Sequence, residues 1–211
     1  VRKVNTSGII STVAGDHLTA GYSGDGGPAT SAALNNPVGL AIDDTGNLYI
    51  ADDHNNVIRK VSTAGIITTF AGDSTPGHTR NGGPATSARL NLPLGVAVDK
   101  KGNLFIADAV NNVIRKVDTA GIISDYAGYD TAHGYSGDGG LATSAQLFYP
   151  VHMTVDDSGN LYFGDAYNNV VRKVNTAGII STVAGNGTAG FDGDGGDPLS
   201  ALLYYCLLYT S

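Results

Sequence analysis

The chain repeats itself about every 56 residues, and this constrains its fold more than any local feature. Val1-Arg2-Lys3-Val4 returns as Ile58-Arg59-Lys60-Val61, as Ile114-Arg115-Lys116-Val117 and as Val171-Arg172-Lys173-Val174. Each period keeps one order. A Pro-led apolar segment, a Gly-Asn turn and an apolar segment ending in Asp come first. An Asn-Asn turn, the Arg-Lys segment, a Thr-x-Gly turn, a fourth apolar segment and a Gly-rich connection follow. Four short strands joined by hairpin turns form an antiparallel meander, which is how a propeller blade is made. Composition agrees: with 30 Gly, no Glu, one Gln and only 15% charged residues, the chain lacks what solvent-facing helices are built from.

Three elements carry a family resemblance. Pro-x-Gly-[Leu/Val]-Ala-[Ile/Val]-Asp, Gly-Asn-Leu-[Tyr/Phe]-Ile-Ala-Asp and Asn-Asn-Val-Ile-Arg-Lys-Val resemble the NHL repeat, a β-propeller unit. The connection containing Gly24-Asp25-Gly26-Gly27-Pro28-Ala29-Thr30 is similar to a bacterial variety with long inter-blade loops. The resemblance spans residues 1–205. It implies an all-β propeller, in a family whose members include protein-binding and RNA-binding modules, sensor domains and a few metal-dependent enzymes. The fold does not choose among these.

The phase of the repeat predicts a half-blade over 1–15, three blades over about 37–72, 93–128 and 150–185, and an inter-blade connection over 186–205. That is about 3.5 blades, an open arc of a six-bladed wheel, so the sequence reads as an incomplete chain. An open arc exposes an apolar face at each end, and the expected partners of those faces are missing blades or a second copy. Residues 206–211 abandon the repeat, with Cys206 where Pro150 predicts proline. They read as a non-native tail of the kind found at the ends of metagenomic reading frames.

The loop-rich face of a propeller collects its variable residues, and all five histidines fall on it or at its edge: His17, His54, His78, His133 and His152. They occupy non-equivalent repeat positions, whereas a metal ring would place them equivalently. His152 replaces Gly39 and Gly95 of the other copies, which puts an imidazole toward the channel mouth as a ligand or base, or as drift in one blade. With Tyr167, the histidines His54, His78, His133 and His152 are the ligand-binding candidates. Asp25, Asp138, Asp192 and Asp194 in the Gly-rich connections are calcium candidates by residue type. The structural alternative, preferred here, has Asp25 capping a short helical turn that packs Leu34. Asp52, Asp108 and Asp165 read as acceptors for their own turns and partners of Arg59, Arg115 and Arg172.

No catalytic motif is present, and the inner strands offer Gly, Ala, Val and Leu, so no catalytic residue, metal or cofactor is assigned. A net charge of −7 argues against nucleic acid, and no apolar run is long enough for membrane insertion. The expected function is a non-catalytic recognition or scaffold propeller that binds protein or glycan through the loop-rich face. The alternative is a metal-dependent lyase or lactonase whose catalytic residues lie mostly in other blades. Avoidance of thiols outside Cys206 suggests an extracytoplasmic, secreted or cell-surface setting.

Overall fold

A computed structural model describes residues 1–16, 20–79, 81–129 and 133–205, and within them every strand pair in a sheet is antiparallel. Strands β1 (Arg2–Val4) and β2 (Ile10–Thr12) form a two-stranded sheet. A four-stranded meander follows: β3 (Pro37–Ile42), β4 (Leu48–Asp52), β5 (Val57–Val61) and β6 (Ile67–Ala71). The next sheet comprises β7 (Gly83–Pro84), β8 (Pro93–Val98), β9 (Leu104–Asp108), β10 (Val113–Val117) and β11 (Ile122–Ala127), in the order β7-β11-β10-β9-β8. The last comprises β12 (Pro150–Val155), β13 (Leu161–Asp165), β14 (Val170–Val174) and β15 (Ile180–Ala184). None of the sheets closes on itself, so the architecture is a partial propeller. The helical content is short 3-10 turns.

The core lies between successive blades. Tyr49, Ala51 and Ile58 of one blade pack with Val96, Leu104 and Ile106 of the next, and Phe105, Ala107 and Ile114 pack with Met153, Leu161 and Phe163. The inner strands approach so closely that a Cβ on Gly39 would lie 2.6 Å from the Leu94 carbonyl oxygen. A Cβ on Gly95 would lie 3.0 Å from the His152 Cα. At the first inner strand the covering neighbour is lacking: Leu40 and Ile42 are 49% and 70% exposed, while the equivalents of Leu40 on the next two blades, Val96 and Met153, are 4% and 5% exposed.

Each long connection runs along the outer strand of the blade it leads into. Pro28 bridges Ile66, Gly83 and Pro84 pair with Ile123 and Ile122, and Leu141 bridges Ile179. An edge that would otherwise offer unpaired amides is thereby covered. A buried guanidinium fixes the connection. Arg59 is 0% exposed; its Nη2 donates to Asp25 Oδ1 at 2.5 Å and to the Ser23 carbonyl at 3.1 Å. Its Nη1 stands 3.6 Å from Asp52 Oδ2. Arg172 repeats this with Asp138 (2.7 Å), the Ser136 carbonyl (3.0 Å) and Asp165 (3.3 Å). The register between third and fourth strands slips at the Arg in every blade, and beside that slip the amides of Thr69 and Thr182 donate to Asp25 and Asp138.

The expectation that Asp25 caps a helical turn is therefore corrected. The turn Ala29–Ser31 does bury Ala29 and leads into buried Leu34, but it starts at Pro28 with no side-chain cap. Asp25 reaches the blade because a fully buried cation is the stronger partner. Among the described connections, the last has a capping carboxylate: Asp197 accepts from the Leu199 amide at 3.0 Å.

The middle blade performs the same docking with its charges exchanged. Asn81 stands where the other connections have Asp, and Asp125 where the other fourth strands have Thr69 and Thr182. Arg115 Nε lies 2.8 Å from Asp125, and Arg115 Nη2 donates to Asn81 Oδ1 at 3.1 Å. The carboxylate has moved from loop to strand while the guanidinium stayed in place. Replacing Asp125 by Thr alone should destabilise the chain by about 2–3 kcal/mol, the cost of stripping a charge from a buried ion pair. Adding Asn81→Asp should restore at least half of that loss in denaturant unfolding. Strictly additive effects of the two substitutions would contradict the exchange.

Candidate functional site

The turns between second and third strands and the long connections share one face, and most of the histidine and aspartate candidates are decided there. In each turn the Asp that ends the second strand is fully buried and accepts from an Asn side chain and a backbone amide, and Asp108 and Asp165 also accept from Arg115 and Arg172. Asn55 Nδ2 donates to Asp52 at 2.8 Å, and the Asn35 amide, just ahead of the inner strand, donates at 2.7 Å. Asp108 and Asp165 have matching partners in Asn111 with the Asn91 amide, and Asn168 with the Phe148 amide. The first Asn of the pair also donates to the connection, at the carbonyls of Gly21, Gly77 and Gly134. The second Asn adopts the left-handed conformation, with φ of 55°, 57° and 54° at Asn56, Asn112 and Asn169. Its side chain accepts the amide of the next blade's Leu92, Tyr149 or Tyr205. The whole Asp-x-x-Asn-Asn motif is consumed in joining blade, connection and neighbour.

The calcium candidates divide in the same way. Asp25 and Asp138 hold guanidinium groups, while Asp192 and Asp194 are exposed, with Asp192 accepting the Gly193 amide. Among the described residues no group of three or more His, Cys, Asp or Glu is placed to hold a metal ion. His78 takes the place of Tyr22 and Tyr135, whose hydroxyls meet Thr69 and Thr182 at 2.6 and 2.7 Å; its Nε2 lies 2.9 Å from Asp125. His152 is half-buried on β12. Its repeat equivalents Gly39 and Gly95 face the neighbouring inner strand, so this position points sideways between blades, which corrects the expectation that it faces the channel mouth. His17 lies outside the described residues.

What remains is an aromatic run on the third blade. His133 stacks on Phe148 with centroids 4.7 Å apart, Phe148 meets Tyr167 at 4.8 Å, and Tyr167 meets Tyr149 at 4.9 Å and Tyr205 at 5.7 Å. Tyr167 is 50% exposed. Sequence reasoning found His133 and Tyr167 but missed the rings between them. The signal was comparison of copies: the positions of His133, Phe148, Tyr149 and Tyr167 hold Ala20, Asn35, Asn36 and His54 in the first blade, and Pro76, Asn91, Leu92 and Val110 in the second. Tyr149 also holds φ at 59°, a left-handed backbone that Asn36 adopts readily and a bulky side chain does not.

A cleft of about 270 Å³ opens on the opposite face between the second and third blades. Lys100 Nζ pairs with Asp157 there at 2.8 Å, and Lys116 lies over Phe105. Its carboxylates Asp99 and Asp156 are consumed in their own turns, accepting the amides of Asn103 and Asn160.

The comparisons with known proteins agree with this architecture. A family model described as the Teneurin NHL domain matches residues 17–81, 73–134 and 127–191. Teneurin-4 of Mus musculus is 31% identical over 176 residues, which are 77% of this chain and 6% of that protein, so the chain spans a small part of this relative. A structural genomics protein of unknown function from Bacteroides thetaiotaomicron superposes with a TM-score of 0.63 at 25% identity, over 80% of this chain and 40% of that one. An auxiliary nutrient binding protein from Bacteroides ovatus gives 0.60 at 16% identity, over 97% of this chain and 51% of that one. Virginiamycin B lyase from Staphylococcus aureus gives 0.50 at 18%, over 86% and 47%. The last two are likenesses of fold.

The buried charges set the response to pH. Burial pushes Asp108 and Asp165 up to about 6 in spite of the bonds from Asn111 and Asn168, from the Asn91 and Phe148 amides and from Arg115 and Arg172. Raised carboxylates destabilise the fold as pH rises through that range. The bond to Asp125 raises His78, so its contribution is also lost as pH rises. At Asp43 burial is outweighed by bonds from Asn47 and Thr45, which hold it at about 2, so its contribution is lost only in strong acid. His152, which burial holds low, acts the other way, its penalty being relieved as pH rises. The two aspartates carry the larger shifts, so between pH 5.5 and 8 stability should fall by about 1–2 kcal/mol, a drop of roughly 2–8 °C in thermal midpoint. A midpoint that rises with pH over this interval would contradict the assignment.

Proposed function

The chain belongs to the Teneurin NHL domain family, and from that premise we propose that it is a non-catalytic recognition module binding a protein or glycan through its loop-rich face. The observation that carries this reading is the half-exposed run His133-Phe148-Tyr167-Tyr149-Tyr205, built at positions where the other two blades carry none of these rings except His54. Repeat-equivalent positions that only had to fold would be free to hold the residues the other blades hold. Rigid rings with polar tips supply large contact area at low entropic cost, which is why such residues anchor interfaces. The thiol-poor composition supports an extracytoplasmic setting for that binding.

Screening the protein on arrays of glycans and of extracellular protein domains should yield a saturable ligand. Against that ligand Tyr167→Ala should weaken binding about tenfold or more, on the order of 1.4 kcal/mol for an anchor ring, with the thermal midpoint essentially unchanged. Equal affinity of Tyr167→Ala and the parent would remove the aromatic run from the interface.

A further inference from the structure

One carboxylate on this face is not consumed by the scaffold. Asp53 opens the turn between β4 and β5, at the position that Ala109 and Ala166 occupy in the other two blades. Its side chain is only 5% exposed. Oδ2 accepts from Asn36 Nδ2 at 3.0 Å, whereas Oδ1 is buried and accepts no hydrogen bond. A buried, unsatisfied carboxylate oxygen costs stability, and the two alanines show that the turn forms without it. His54 Nε2 stands 3.5 Å from Oδ1, and the His54 side chain is 54% exposed.

Asp53 lies on the same loop-rich face as the aromatic run, in the turn of the first blade that is equivalent to the turn carrying Tyr167 in the third. Asn36, which holds it, is the repeat equivalent of Tyr149, and both sit just ahead of an inner strand. Burial raises the Tyr149 phenol, and the charges of Tyr205, Tyr167 and Asp53 add to the shift, so Asp53 is within electrostatic reach of that ring. Leu92 and the 40% exposed Val110 lie on the blade between. This face therefore carries an anion on its first blade and aromatic rings on its third, on a chain of net charge −7.

We propose that Asp53 is the anionic anchor of a recognition site for a basic side chain, lysine or arginine, of a protein segment whose neighbouring apolar part lies on Tyr149 and Tyr167. It rests on the binding reading of the loop-rich face. An ammonium or guanidinium group would satisfy Oδ1 with a charge-assisted bond in a desolvated pocket, where it is strongest, and the rings also attract the cation.

The test uses an acetylated, amidated tetrapeptide with lysine beside tyrosine, and its counterparts with norleucine or glutamate in place of lysine, titrated into the isotope-labelled protein by NMR. The lysine peptide should bind about tenfold or more tightly than the norleucine peptide, with the glutamate peptide weakest. In Asp53→Ala the preference should shrink to less than about twofold, and the thermal midpoint should stay level or rise, since alanine serves at the equivalent positions. Equal binding of lysine and norleucine peptides, a preference that survives Asp53→Ala, no saturable binding of the lysine peptide, or a lowered midpoint in Asp53→Ala overturns the proposal. The wider reading is tested separately: Tyr167→Ala that leaves the binding of both peptides unchanged removes the aromatic run from the interface, whereas a glycan ligand that ignores Asp53 keeps the face as a binding surface without this anchor.

Discussion

A guanidinium with no exposure to water, repeated at Arg59, Arg115 and Arg172, is the constraint on which the rest of this structure depends. Desolvating such a group costs several kcal/mol unless its charge and its donors are met, so each arginine dictates what must surround it. On the inner side it requires an acid at the end of the second strand, itself buried. That acid in turn requires the Asn of the following turn and the amide ahead of the inner strand. On the outer side it requires a carboxylate and a carbonyl, which only the long connection or the fourth strand can bring. One buried cation therefore fixes the hairpin turn, the start of the inner strand and the path of a connection some twenty residues long. A β-meander of four strands does not by itself specify where such a loop lies; the ion pair does.

The middle blade shows that the requirement is for charge at a place in space. Asn81 and Asp125 are 44 residues apart in sequence, and together they do what Asp25 and Thr69 do in the blade before. His78 follows from the same exchange: once the strand position became a carboxylate, a ring nitrogen suited it better than the phenol that Tyr22 presents to Thr69. The difference between blades that looked chemical is thus a second solution to one structural problem. It also explains why a histidine beside an aspartate on the loop-rich face, suggestive in isolation, carries no functional weight.

The strands, their hairpin turns and the pairing of Asp52 with Arg59 were legible because each depends on local pattern, repeated until chance is excluded. Legibility failed wherever a side chain had two competing partners and sequence could rank them only by proximity. Asp25 lies next to a short turn and far along the chain from Arg59, so it was read as a cap; burial of the arginine reverses that ranking. His152 was read as facing the channel because first strands line it. The close approach of Gly39 to Leu94 shows that this position packs between inner strands, and the β-bulge register that turns it sideways leaves no mark in the sequence. The aromatic run and Asp53 were within reach of the same comparison of copies that revealed the fold. Departure from the repeat marks them, whereas residue type alone singles out the histidines.

Departure from the repeat becomes informative once the cost of conformity is known. The amide ahead of each inner strand is bonded to the buried Asp whatever its side chain, and the next residue holds a left-handed backbone imposed by the preceding blade's Asn. At that second position Asn36 is the residue the backbone prefers, while Leu92, Tyr149 and Tyr205 accept strain there. The amides of Leu92, Tyr149 and Tyr205 donate to Asn56, Asn112 and Asn169, which helps hold that backbone, although Asn36 adopts it without such a bond. Strain and exposure at Tyr149 and Tyr205 have no return within the fold, and neither does the unsatisfied oxygen of Asp53. Two kinds of cost, one conformational and one electrostatic, thus sit on the same loop-rich face. Costs of that kind are retained where something outside the fold offsets them, and the ligand proposed for this face would do so for both.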